Sequence, residues 1–329
     1  MRELLLLLCQ YPYKEKDHDL LSKLVSEVKD WPELVGLINS HGIIALAAYN
    51  IKEAGLEDTV PVDSMAVLKN GYFQNVIRNT WLTERWKEVN SILCNAGIQH
   101  IVLKGMALEH TLYDSKGLRQ MSDNDILIRH DESFKAWHLL KEAGFTPEPL
   151  KSPLFRKIMF DYGRHLPALC KEGYVIELHN KLFERVIPEE YSIDYTFSKA
   201  VEISIGNTKA YALPRDLGLK YLIEHFEHHV LTGECQLRLY ADIVLSDDKI
   251  PIKFPENFIT DPIQIFKTEY RKAVYRSNIH SIPLKHRLRF ITGDTFPSIK
   301  WMKKRYNCGG FRALLFYPLR VGKLIWLIH

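Results

Sequence analysis

The sequence is poor in cysteine, with five in 329 residues at positions 9, 94, 170, 235 and 308. An odd number spread this widely fits neither a disulfide framework nor a CxxC metal site, and points to a reducing cytoplasm as the compartment. Long apolar runs are also missing. The opening MRELLLLLCQ places five leucines behind a basic residue, but the run stops at Gln10-Tyr11-Pro12 and no small-residue cleavage site follows. It therefore reads as the start of a buried helix and not as a secretory signal. No stretch approaches the roughly 18 apolar residues that a membrane-spanning helix requires. Neither GxxxxGK[ST] nor GxGxxG occurs, which disfavours P-loop and dinucleotide-binding chemistry. Internal repeats and low-complexity segments are absent.

Acidic residues are absent from one region only. From Thr295 onward there are seven basic residues (Lys300, Lys303, Lys304, Arg305, Arg312, Arg320, Lys323) and no Asp or Glu, which leaves 37 basic against 40 acidic in the first 294 residues. The net charge of +4 is thus a property of the tail. Trp301, Phe311, Phe316, Tyr317 and Trp326 interleave with those cations. This pattern suits an amphipathic helix that meets an anionic surface or an acidic partner, but the plainer reading, a helix with a solvated basic face and an apolar face packed on the core, is favoured. The remainder, in a chain 46% hydrophobic and 26% charged, is ordinary for a soluble protein of one large or two medium domains.

What is present begins with helices. Over residues 1–96, apolar positions recur at helical spacing through Leu20, Leu21, Leu24, Val25 and Val28, break at Trp31-Pro32, and resume at Leu34, Leu37 and Ile38. A second group, Ile43 to Ala54, closes at Gly55. A long pattern from Val67 to Leu93 stops at Asn95-Ala96-Gly97, a strong helix terminator. His41-Gly42 sits at a helix end, where a histidine is more often structural than catalytic.

The pattern changes at Ile98. An apolar run, Ile101-Val102-Leu103, ends at Lys104-Gly105 and passes into a helical stretch from Met106 to Tyr113. After the turn residues Asp114 to Gly117, a second short strand carries Asp123 and Asp125, which alternation places on one face. Two carboxylates held that close repel unless a cation sits between them, so a divalent metal is the economical explanation. A helix over Phe134 to Leu140 starts near Asp131 and closes at Gly144, and a proline-rich loop follows. The runs His165–Leu169 and Tyr174–His179, joined by Lys171-Glu172-Gly173, read as a β-hairpin. On its second strand Val175, Glu177 and His179 share a face, and an acid in an otherwise apolar strand is expensive unless paired or metal-bound.

From Leu213 the chain reads as helical again. His225, His228 and His229 lie on one helix face, a spacing that could present two imidazoles to zinc, although no third ligand accompanies them; structural or substrate-pocket roles are favoured. Residues 263–293 are helix-like and carry no legible chemistry.

The order strand, Leu103-Lys104-Gly105, helix, Arg119, Asp123-Asn124-Asp125 and later Glu177-Leu178-His179 resembles the nucleotidyltransferase signature of the DNA-polymerase-β-like superfamily. More narrowly, it is similar to the bacterial group called the uncharacterised nucleotidyltransferase family, over about Leu4 to Leu245. The resemblance implies an α+β fold, with a small mixed β-sheet core over 97–205 embedded in a helical N-terminal region (1–96) and a helical C-terminal region with a basic tail (206–329). It further implies transfer of a nucleoside monophosphate from a triphosphate, with ATP expected, to a hydroxyl acceptor by a two-metal mechanism. Asp123, Asp125 and Glu177 would hold two Mg²⁺ ions and do the catalytic work. Lys104, Gly105 and Arg119 would face the phosphates, Lys104 and Arg119 having plain alternatives as salt-bridge partners. His179, His225, Arg238 and Asp242 would shape the acceptor pocket. The acceptor could be a small molecule, a sugar or a peptide; the basic residues do not flank this site, which argues against nucleic acid. Asn124 stands where an apolar residue is usual, and Met106 where many relatives carry Ser or Gly. These departures keep a second reading open, a non-catalytic nucleotide- or protein-binding regulator with the same fold.

Overall fold

The computed structural model describes residues 1–183, 192–232, 236–247 and 282–328, together with 272, 275, 276, 279 and 280. Of the helix-like stretch expected over 263–293, residues 263–271, 273, 274, 277, 278 and 281 lie outside the described residues, and Leu284–Thr295 is helical. The chain divides into two compact units, Met1–Asp125 with Ile187–Ile265, and Ile126–Val186 with Phe266–His329.

The first unit opens with helices α1 (Arg2–Leu8), α2 (His18–Ser26), α3 (Trp31–Ser40), α4 (Ile44–Glu53) and α5 (Val62–Asn95). The leucine run at the start is a buried helix, with Leu4, Leu5, Leu7 and Leu8 all in the core. Each such side chain contributes about 1.5–3 kcal/mol of burial free energy. The carbonyls that α1 leaves unpaired at its end find a partner in buried Asn50, whose Nδ2 lies 3.1 Å from Leu8 O and 2.8 Å from Gln10 O. Asp30 caps α3 by accepting from Glu33 N–H at 2.9 Å. Helix α5 ends as expected before Gly97, which takes φ +71°.

The same unit contains strands β1 (His100–Leu103), β6 (Val201–Ile205) and β7 (Thr208–Ala212), with helices α6 (Lys104–Thr111), α9 (Ile193–Ser198), α10 (Arg215–Thr232) and α11 (Leu237–Ser246). Strands β6 and β7 form an antiparallel hairpin around Gly206, and β7 pairs in parallel with β1 through Val102↔Ala212. This hairpin was not foreseen, and β7 continues the sheet past residue 205.

The second unit holds α7 (His130–Glu142), β3 (Thr146–Pro147), α8 (Phe155–Tyr162), β4 (Leu169–Lys171), β5 (Tyr174–His179), α12 (Leu284–Thr295), α13 (Ile299–Arg305) and α14 (Tyr317–Ile328). The expected hairpin is present: β4 and β5 pair antiparallel around Glu172 and Gly173, both at positive φ, as a two-residue primed turn requires. Between Leu169↔Ile176 and the bridge His165↔His179 the register slips, so the first strand carries one residue more than the second. Pro167, which has no N–H for the ladder, lies within that slip.

One fully buried strand, β2 (Asn124–Ile128), contributes its first two residues to the first unit and the rest to the second. The mixed seven-stranded sheet has the order β3-β4-β5-β2-β1-β7-β6, flanked by helices, which is the α+β class expected. No helix among the described residues is long and apolar enough to cross a membrane.

Candidate active site

The turn from β1 into α6 is tight because Lys104 adopts φ +47°. A side chain in this left-handed region costs about 1–2 kcal/mol, and such strain concentrates at functional sites. The turn brings Lys104 Nζ to 2.7 Å from Asp125 Oδ1, with both side chains largely out of solvent. Gly105 has a separate reason to be glycine: a Cβ there would lie 2.6 Å from Arg119 Nη1.

Arg119 is buried, and its guanidinium is held by a carboxylate 123 residues away. Its Nε donates to both oxygens of Asp242 at 3.1 Å, and Nη2 donates to Oδ2 at 2.8 Å. Tyr113 donates its hydroxyl to the same carboxylate at 3.0 Å. Burial, the largest single influence, would lower the Arg119 pKa, but the Asp242 charge, the hydrogen bonds to it and the nearby Tyr113 and Asp123 together outweigh it, and the guanidinium titrates above its ordinary value. The pair is closed: Asp242 has no exposure at all. Arg119 Nη1 and Arg238 Nη1 both donate to Gln120 O at 3.0 Å, which anchors the loop before the aspartates. Burial and the neighbouring Arg119 charge push Arg238 down to about 10. The backbone N–H of Arg238 in turn bonds to His41 O, and His41 Nδ1 accepts from Leu237 N–H at 3.4 Å, a structural use of that helix-end histidine.

Two further residues, not read from the sequence, fix the same loop. Asn79 on α5 donates to Arg119 O at 2.9 Å and to Glu109 Oε1 at 2.8 Å, and Glu109 also accepts from Gly117 N–H at 2.6 Å. Burial raises the Glu109 carboxyl above its usual range, and these bonds oppose it. The signal available was the lone acid of the helical stretch Met106 to Tyr113.

Asp125 is 4% exposed, whereas Asp123 is partly exposed and accepts from Ser122 Oγ at 3.1 Å. Because β2 starts at Asn124, Asp123 precedes the strand, and strand alternation does not fix its direction. Asn124 itself is fully buried, so the unusual polar residue packs in the strand where an apolar one is common.

Along β5 the expected alternation holds: Tyr174, Ile176 and Leu178 are buried, while Val175 and Glu177 are partly exposed. His179 is 2% exposed, with Nε2 3.6 Å from Glu177 Oε2 and its ring beside that of His165. Asp125 on β2, and Glu177 and His179 on the neighbouring β5, each offer one ligand atom, and the three atoms all lie within 4.8 Å of one another. His179, expected in the acceptor pocket, is thus one of three donors, and Asp123 is not among them. On α10, His225 stacks on Tyr221 and meets His229 edge-on.

A family model described as Uncharacterised nucleotidyltransferase matches residues 27–248. The chain belongs to this nucleotidyltransferase family. The match covers two thirds of the sequence and contains every residue discussed in this section, while the basic tail lies beyond it. The chemistry of such a family is nucleotidyl transfer, the movement of a nucleoside monophosphate. No curated protein matches the chain, and no solved structure does.

Proposed function

We propose that this nucleotidyltransferase uses ATP and a divalent cation held by Asp125 and Glu177, with His179 as third donor, to modify a hydroxyl acceptor. The observation that carries the reading is the convergence of those three donors beside Lys104. Two carboxylates suit Mg²⁺, and the imidazole widens the range to Mn²⁺ or another transition ion. A bound cation would supply charge neutralisation at the triphosphate and a lowered pKa at the attacking hydroxyl. The protein's own part starts with Lys104. Its ammonium neutralises Asp125 in the metal-free chain and, once displaced from that carboxylate, is placed to meet the phosphates. The backbone N–H groups that open α6 at Gly105 face the same anionic charge. Asp123, more accessible than Asp125, is the reserve carboxylate for a second ion. Arg119 contributes through position, since Asp242 holds it and it holds Gln120.

For the organic substrates, an apolar cavity of about 360 Å³ lined by Leu103, Lys104, Leu108, Ile203, Leu219 and Tyr221 offers room for a nucleobase or an apolar part of the acceptor. His225, stacked on Tyr221, is proposed to shape that pocket. The test is pyrophosphate release from each nucleoside triphosphate with Mg²⁺ or Mn²⁺, alongside calorimetric titration of each ion. Binding of nucleotide without turnover under any metal would instead support a regulatory role.

A further inference from the structure

Helix α14 is inverted relative to an ordinary surface helix. Its inward positions are Tyr317, Arg320 and Leu324, and Arg320, 6% exposed, is held by Asp294 through Nη2 donating to the main-chain oxygen at 2.6 Å. Its outward positions are Leu319, Gly322 and Trp326, with Val321 and Ile325 on the flank, all of them exposed. The arginine faces in, while the apolar side chains and Lys323 face water. A helix apolar on its outer side needs something to cover it. The turn that precedes it adds Phe311, 87% exposed, and Leu315, 74% exposed.

The surrounding charge selects the occupant. Lys300, Lys303, Lys304, Arg305, Arg312 and Lys323 are all exposed, and the sequence has no carboxylate from Thr295 onward. Four of these six are lysine, a residue depleted from the cores of protein interfaces. Lysine and arginine with outward Trp, Phe, Leu and Ile on a short helix are the composition of a segment that lies in the plane of a bilayer. We propose that the segment from Ile299 to Ile328 is a peripheral docking surface for anionic lipid. Leu319, Trp326, Phe311 and Leu315 would enter the headgroup boundary while the lysines face the phosphates. The surface lies outside the family match, so it stands independently of the transfer chemistry.

The experiment is co-sedimentation of the full chain with vesicles of phosphatidylcholine, with and without phosphatidylglycerol, at low and high salt. The expected result is binding to the anionic vesicles, weakened by salt, with little binding to phosphatidylcholine alone. Each cation near an anionic surface contributes about fivefold, so K303Q with K304Q weakens binding about 25-fold. Phe311→Glu with Leu319→Glu abolishes it while leaving the melting temperature unchanged, because both side chains are mostly in solvent, 87% and 62% exposed. No partition onto anionic vesicles, or partition that neither variant pair alters, overturns the proposal. So does concentration-dependent dimerisation in the absence of lipid that Leu319→Glu removes, since this assigns the face to a second copy of the chain.

Discussion

Two of the buried ion pairs among the described residues are built for opposite ends. Arg119 and Asp242 form a closed pair: three guanidinium contacts and a tyrosine hydroxyl occupy the carboxylate, which solvent does not reach. The Lys104–Asp125 salt bridge, by contrast, is made by a strained residue and lies beside two further donors. A pair with every lone pair occupied has nothing left to offer a ligand, and acts as architecture. A pair placed beside further metal-type donors can exchange its ammonium for a metal. Burial alone does not separate the two cases; the kind of side chain gathered around each carboxylate does.

The sharpest test is to remove the acid from each. Asp125→Asn should lower turnover by about a thousandfold, equivalent to about 4 kcal/mol of barrier, while the melting temperature stays within a few degrees. Steady-state rates and thermal unfolding measured on the same preparation decide this. Asp242→Ala should do the reverse, costing about 3–5 kcal/mol of stability through the orphaned Arg119 charge, as read by urea unfolding. If the pair is architectural, Arg119→Met combined with Asp242→Leu should recover most of that loss, because the buried charge is gone.

A smaller effect tests the contact between the two regions of the loop. Gly105→Ala places a methyl 2.6 Å from Arg119 Nη1, and should cost about 1–3 kcal/mol with a matching fall in activity. Unchanged stability would mean that the guanidinium can move, and the closed pair would not be closed.

The smallest effect concerns Glu109, whose folded-state carboxyl is raised by burial. A raised acid binds its proton more tightly in the folded chain than in the unfolded one. Its contribution is therefore fully present at low pH and is lost as pH rises through the raised value. Glu109→Gln keeps the oxygen that accepts from Asn79 and Gly117 but carries no charge. The variant should gain on the wild type as pH climbs from the ordinary carboxylate range toward neutrality, a trend that unfolding at several pH values would show.

Local features were legible in the sequence and distant ones were not. The turn at Lys104-Gly105, the 174–179 strand and its alternating faces, and the helix stop at Gly97 all follow from neighbours within a few residues. The β6–β7 hairpin carried a signal, Gly206-Asn207 between alternating runs, that went unread because Glu202, Ser204 and Lys209 make both strands look polar. Nothing local announces that Arg119 is matched by Asp242, since that pairing depends on how the chain returns 123 residues later. Glu177 and His179 could be placed on one face, but the company they keep with Asp125 required the order of the strands. The separation of Asp123 from that group rests on where β2 begins, a boundary that pattern alone does not resolve.

Helix α5 has a consequence for timing. At 34 residues it is about 50 Å long, a single rod that sends Arg78 to Ser122 O, Asn79 to Arg119 O, and Asn90 to His100 at the start of β1. The loop that leads into the aspartates is splinted along its length before any substrate arrives. Little ordering is left to be done at the moment of encounter, so nucleotide association should be a single fast step without a slow phase of loop closure.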